Sequence, residues 1–224
     1  MKMNLEKTKI MFNQYTTPSP ITIENEELVQ VNDYIYLGHR ITMRTDIMEE
    51  IKNRINKGWR TFGQLKDIFK ADLPTCLKSR VFNQCVLPSL TYACETWPKT
   101  EEIKNKLRTT QRAMELQILH ITKRDKKRNS WIRERTKVAD IIERVARRKW
   151  KWAGHLARTK DKRWTLEILQ WIPRDRKRPK GRPKRRWKDD LVAQLGENWP
   201  QRSQDRSLWR NTEEAFILQW IDKG

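Results

Sequence analysis

At Thr45 the spacing of the apolar side chains changes, and one type of regular structure cannot accommodate both sides of the change. Upstream, residues 9–43 fall into the short runs KIMFNQY, PITI, ELVQV and YIYLGHRIT, punctuated by Pro18, Pro20, Asn25 and Gly38. Short β-favouring runs between turn formers predict strands, here a small antiparallel β meander. Downstream, Ile47, Ile51, Ile55, Trp59, Phe62, Leu65 and Phe69 recur every three or four residues. That is the period of a helix with one apolar face. Asp46 with Glu49 three positions later gives a capping-box-like start, so a helix of about six turns is predicted.

A second helix is predicted from Pro74 to Leu87, with proline in its first turn and Pro88 closing it. A third spans Lys99 to Ile121 and turns Ile103, Leu107, Met114, Leu116 and Ile118 inward. A fourth runs from Val138 to Leu156 with Val138, Ile141, Ile142, Val145, Trp152 and Leu156 along one stripe. Leu191, Leu195, Leu208, Phe216, Ile217 and Trp220 mark two short closing helices. The expected fold is therefore mainly α with a small N-terminal β meander, an α+β chain. Its expected parts are a meander at 1–44, a helical bundle at 45–122 and a basic helical region at 123–224.

Charge is distributed unevenly over these parts. The whole chain carries a formal +21, yet residues 1–120 hold 18 basic and 14 acidic side chains, whereas residues 121–224 hold 31 and 14. A surplus of +17 in the second half repels itself unless a polyanion is near, which points to RNA or DNA as partner. The stretch RDRKRPKGRPKRR at 174–186 has no apolar residue, so it cannot contribute to a core and is expected to be an extended basic arm. On the fourth helix Arg144, Arg147, Arg148, Lys151 and Arg158 fall largely off the apolar stripe. Together with Arg176, Lys177, Arg178, Lys180, Arg182, Lys184, Arg185 and Arg186 of the arm they are the candidate phosphate contacts. The alternative is a solvated helix face.

Nine of the eleven tryptophans lie from Trp131 onward, interleaved with arginine and lysine. Such rings stack on unpaired bases or fill a core. Trp150 and Trp187, flanked by charges, are the stacking candidates; Trp152 and Trp220 are expected in the core. Pro179–Lys184 is similar to an AT-hook, a slim element whose central Arg182 enters a narrow A·T minor groove. Basic linkers and nuclear-import signals look alike, and both readings stay open. Cys76, Cys85 and Cys94 are never spaced as metal-ligand pairs and are expected as small core residues, and His155 has no second ligand at metal spacing. The adjacent Asp189 and Asp190 are expected to be carboxylates at a helix start. No apolar run approaches the ~20 residues that cross a bilayer. MKMNLEKTKI has no apolar signal core, so an intracellular protein, nuclear or cytoplasmic and without membrane contact, is expected.

Four blocks, taken in order, resemble the C-terminal portion of the endonuclease/reverse transcriptase polyprotein of non-LTR retrotransposons, nearest to the RTE-like type. MNLEKTKIMF resembles the strand after the catalytic hairpin, YIYLGHRIT the primer grip, and LPTCLKSRVFNQCVLPSLTYACETW the thumb. WKWAGHLARTKDKRW with KGRPKRRWKDDL resembles the basic tail of that lineage. The resemblance implies a palm edge, a thumb-like bundle and a nucleic-acid-holding tail of an RNA-directed DNA polymerase. It also implies that the magnesium-binding carboxylates of the intact parent lie on a palm hairpin preceding Met1. By that reading this chain holds no cofactor or metal, is inactive alone, and has the rest of the reverse transcriptase as a possible partner. Two alternatives remain: part of an active polymerase whose palm is encoded upstream, and a domesticated DNA-binding protein that uses the AT-hook-like arm. The resemblance carries Lys7 over as a weak catalytic candidate and Tyr36, Leu37 and Gly38 as the primer-grip turn. Ala93 stands where the thumb motif usually has glycine.

Overall fold

The computed structural model describes residues 3–13, 16–42, 47–159, 164–170, 181 and 185–221. Among the described residues helices dominate, and the strands are confined to the N-terminal part. The chain divides into two compact units, Met1–Asn53 and Arg54–Gly224.

In the first unit β1 (Lys9–Ile10) pairs in parallel with β4 (Val29–Gln30), β2 (Thr22–Ile23) pairs antiparallel with β3 (Glu26–Glu27), and β5 (Asp33–Tyr36) pairs antiparallel with β6 (His39–Thr42). These are three separate two-stranded pairs, not one meander. The β2–β3 hairpin lies within the β1–β4 connection, which lets β4 run alongside β1 in the same direction. Glu50, buried at the start of α1 (Met48–Gln64), accepts a hydrogen bond from the Arg40 backbone N–H at 2.9 Å. His39 Nδ1 lies 3.3 Å from the same carboxylate, so one buried acid ties the β5–β6 hairpin to the helix start. The Asp46 cap predicted for this helix lies outside the described residues.

The second unit is built on helices. The predicted six-turn helix is interrupted at Leu65, whose N–H is shared between the Thr61 and Phe62 carbonyls, and resumes as α2 (Lys66–Lys70). Phe62 and Phe69 stack across the join at 4.4 Å. Pro88 does not close the second helix. After α3 (Thr75–Val81) the chain widens into a π turn over Phe82–Val86, with the Leu87 N–H reaching back five residues to the Phe82 carbonyl. This shift places Pro88 in the first turn of α4 (Leu87–Leu90), where a missing N–H costs no helical hydrogen bond.

Next come α5 (Glu101–Ile118), capped by the Thr100 hydroxyl, and α6 (Asn129–Thr136). The core of the unit forms around α7 (Ile141–Arg158), which packs on α5, on the short turn Cys94–Thr96 and on α12 (Glu213–Ile221). Between α7 and α12 lie α8 (Thr165–Gln170), α9 (Asp189–Leu195), α10 (Trp199–Arg202) and α11 (Arg206–Asn211). Phe82, Leu90, Cys94, Trp97, Ile142, Val145, Phe216 and Trp220 are all sealed from solvent. Of the cysteines only Cys94 is a core residue; Cys76 and Cys85 are exposed. No helix of the described residues is long and apolar enough to cross a membrane.

Candidate functional site

Helix α7 sets out most of the candidate residues. Asp140 caps it, its carboxylate accepting from the Ile142 and Glu143 N–H groups at 2.8 and 3.1 Å. The buried Gln111 amide fixes the same end, donating to the Ala139 carbonyl and accepting from the Ile141 N–H. The cap explains why the helix starts at Ile141 rather than Val138. Ile141, Ile142, Val145, Ala146, Trp150, Ala153 and Ala157 then form the buried side.

Trp150 belongs to that side, which corrects its assignment as a stacking ring. It is 1% exposed, its ring stacks on Trp209 at 3.9 Å, and its indole N–H donates to the Trp209 carbonyl. The α7 ring left on the surface is Trp152, predicted to be core but 38% exposed and packed on the exposed His155 at 5.6 Å. The buried positions at 141, 142, 145 and 146 continue to 149, 150, 153 and 154, and position 152 falls off that stripe. Flanking charge misled the assignment because Lys149 runs inward.

Lys149 is fully buried. Its ammonium lies 3.0 Å from Asp190 Oδ1 and donates to the Trp187 and Trp97 carbonyls at 2.7 and 3.2 Å. It also sits over the rings of Trp187 (4.9 Å) and Trp220 (5.4 Å). Burial pushes its pKa down, and Asp190 opposes that shift. The second Asp190 oxygen accepts from the Trp220 indole at 3.0 Å. Asp189 does sit at the start of α9 and accepts from the Arg186 N–H, while Asp190 serves the core. Trp187 is half-buried, its N–H bound to the Glu95 carbonyl at 2.6 Å and one face covered by Lys149. It closes this cage, and its face against Lys149 is not open to a base.

The candidate cations separate by environment. Arg147 bridges Glu143, Glu213 and Glu214, which hold its pKa up, and Arg148 donates to the Thr91 carbonyl at 2.7 Å. Arg158 donates to Ser203 O at 2.9 Å and Arg185 to Lys99 O at 3.2 Å. Arg144, Lys151 and Arg186 project from the surface with no carboxylate partner among the described residues. Arg176, Lys177, Arg178, Lys180, Arg182 and Lys184 lie outside the described residues.

Two clefts lie in the second unit, one beside α7 and one beside α5 and α6. One, of about 400 Å³, is lined by Lys151, Arg158, Arg206, Trp209, Arg210 and Glu213 among others. The other, of about 620 Å³, carries Arg108, Arg112, Lys123 and Arg133. There Arg112 pairs with Glu115 and Arg133 with Asp140. The sequence reading missed Arg206, Trp209 and Arg210. Their signal was arginines four apart around a tryptophan, on a helix too short to show a period. Among the described residues no group of three or more His, Cys, Asp and Glu side chains is placed to hold a metal ion.

In the first unit Lys7 is exposed in the turn before β1. Tyr36 ends β5, and Leu37 and Gly38 form the two-residue turn to β6 with φ of 49° and 78°. Such a turn requires positive φ at both positions, which glycine meets freely and leucine with strain. Ala93, too, is left-handed, with φ 57° and ψ 19°. That conformation is one a glycine would adopt without strain.

A transposon-derived protein of Caenorhabditis elegans is 32% identical to this chain over 238 residues, covering 96% of the chain and 85% of that protein. The chain belongs to this transposon-derived family. The likeness of the transposon-derived chain to its relative spans both compact units. No family model and no solved structure matches it.

Proposed function

We propose that this transposon-derived chain is the nucleic-acid-holding part of an RTE-like non-LTR retrotransposon reverse transcriptase: palm edge, thumb and basic tail. It grips the phosphates of RNA template or target DNA without performing the polymerase chemistry itself. The observation that carries this reading is the division of cations within one helical unit. Lys149, Arg147 and Arg148 are consumed by the fold, whereas Arg144 and Lys151 on α7 and Arg206 and Arg210 on α11 are exposed without a carboxylate partner among the described residues. Cations that stabilise nothing within the fold carry a self-repulsion that a polyanion relieves. Trp152, exposed beside Lys151, adds a ring on which an unpaired base stacks.

The test is fluorescence anisotropy with labelled single-stranded RNA, single-stranded DNA and duplex DNA, repeated from 50 to 200 mM salt. Six to ten neutralised phosphates lower affinity by about 10³–10⁵ over that range. A flat salt dependence, or no association at 50 mM salt, overturns the reading. A primer-extension assay of the chain alone with magnesium is expected to give no product.

A further inference from the structure

We infer that the cleft between α7 and α11 is a phosphate site, taking one phosphodiester of a nucleic-acid backbone between Arg158, Arg206, Arg210 and Lys151 against the edge of Trp209. This rests on the nucleic-acid reading above and gives it one specific anchoring point.

Four observations converge there. The cleft presents four cations and one carboxylate, and that carboxylate, Glu213, is 3.2 Å from Arg147 Nη1 and engaged by it. The acid next in sequence to Arg206 is Asp205, whose side chain is spent capping α11 through the Ser207 and Leu208 N–H groups. Secondly, burial and the like charge of Arg206 both push the Arg158 guanidinium down, and no carboxylate opposes them. Two guanidiniums held together without an acid form the arrangement that binds a phosphate oxygen pair.

Thirdly, Trp209 is 6% exposed and its indole N–H has no hydrogen-bond partner. Buried donors are nearly always satisfied, so an unsatisfied one on the wall of a cationic cleft is an unmet demand for an acceptor. Fourthly, the site depends on Gly154. A Cβ at that position would lie 2.5 Å from Trp209 Nε1 and 2.8 Å from Arg158 Nη1, so only glycine lets both donors approach the helix together. The volume of about 400 Å³ falls in the ~300–1,000 Å³ range of ligand clefts.

The experiment uses the full chain labelled with ¹⁵N-tryptophan, its Trp209 indole resonance assigned as the one lost in Trp209→Phe. Inorganic phosphate and a single-stranded oligonucleotide are titrated in separately at 50 mM salt, with anisotropy reporting oligonucleotide binding in parallel. Saturable movement of the Trp209 resonance with the oligonucleotide is expected. It is abolished in Arg206→Gln/Arg210→Gln, where both replaced side chains are exposed and circular dichroism checks the fold. In that variant the log–log salt slope is expected to drop by about 1–2, the loss of one or two phosphate contacts. Movement with phosphate as well supports the site. Movement with phosphate from a chain that binds no oligonucleotide overturns the backbone assignment. If the oligonucleotide binds and the Trp209 resonance stays still, the site falls while nucleic-acid binding stands; if the oligonucleotide does not bind, the functional reading itself has failed.

Discussion

The ammonium of Lys149 on α7 lies 3.0 Å from Oδ1 of Asp190 on α9, and neither side chain reaches solvent. Among the described residues fifteen cations of the more basic half are exposed; this one is buried, and removing it leaves a bare carboxylate in a tryptophan cage. Lys149→Met is expected to destabilise the chain by about 3–5 kcal/mol, the usual cost of stranding one partner of a buried pair. Lys149→Met/Asp190→Asn, which removes the stranded charge and leaves an acceptor for the Trp220 indole, is expected to recover much of that loss. Urea unfolding of the two variants against the native chain checks both.

Gly154 faces Trp209 and Arg158 with no room for a methyl group. Gly154→Ala is expected to destabilise by about 1–3 kcal/mol through overpacking. Thermal unfolding gives the size, and a smaller penalty when the same change is made on a Trp209→Leu background identifies the indole as the obstacle.

Ala93 holds a left-handed conformation that costs an alanine roughly 1–2 kcal/mol. Ala93→Gly removes that strain but frees the unfolded chain by about 0.4–1 kcal/mol. A net stabilisation of roughly 0.5–1 kcal/mol is expected from these two magnitudes. A lower denaturation midpoint for Ala93→Gly would show that the turn is unstrained.

Lys99 donates to the Gln219 carbonyl, and burial, reinforced by the nearby Lys104, pushes its pKa down to about 8. Between pH 8 and the ordinary lysine value of about 10.5, the unfolded chain binds the proton more tightly than the folded one. Stability from this group therefore rises with pH across that window and is lowest below pH 8. The stability of the native chain relative to Lys99→Met is expected to increase from pH 8 to 10.5, as measured by parallel denaturation series.

Trp150 and Trp152 are two residues apart and are expected to respond oppositely. Trp150→Ala empties a buried, stacked site and is expected to cost about 3–5 kcal/mol of stability. Trp152→Ala is expected to leave stability nearly unchanged and to weaken single-stranded binding by about 1–3 kcal/mol, the worth of one stacked base. Equal effects of both substitutions on unfolding would contradict the placement of Trp152 at the surface.

The sequence by itself determined the class of fold and the sign of the surface. The change of apolar period near residue 45 separates strands from helices, and α5 and α7 begin within a few residues of their predicted starts because Thr100 and Asp140 cap them locally. Net charge is likewise a sum over residues and needs no structure. What each charge and each ring does was decided by tertiary structure alone. Lys149 and Lys151 have the same side chain, yet 200° of helical rotation sends one into the core and the other to solvent. Asp190 becomes the partner of a lysine 41 residues away, and Arg206 and Arg210 meet Arg158 only because α11 packs beside α7. Local sequence fixes the turn of a helix; which face is covered depends on segments far along the chain, and their arrival is a matter of packing.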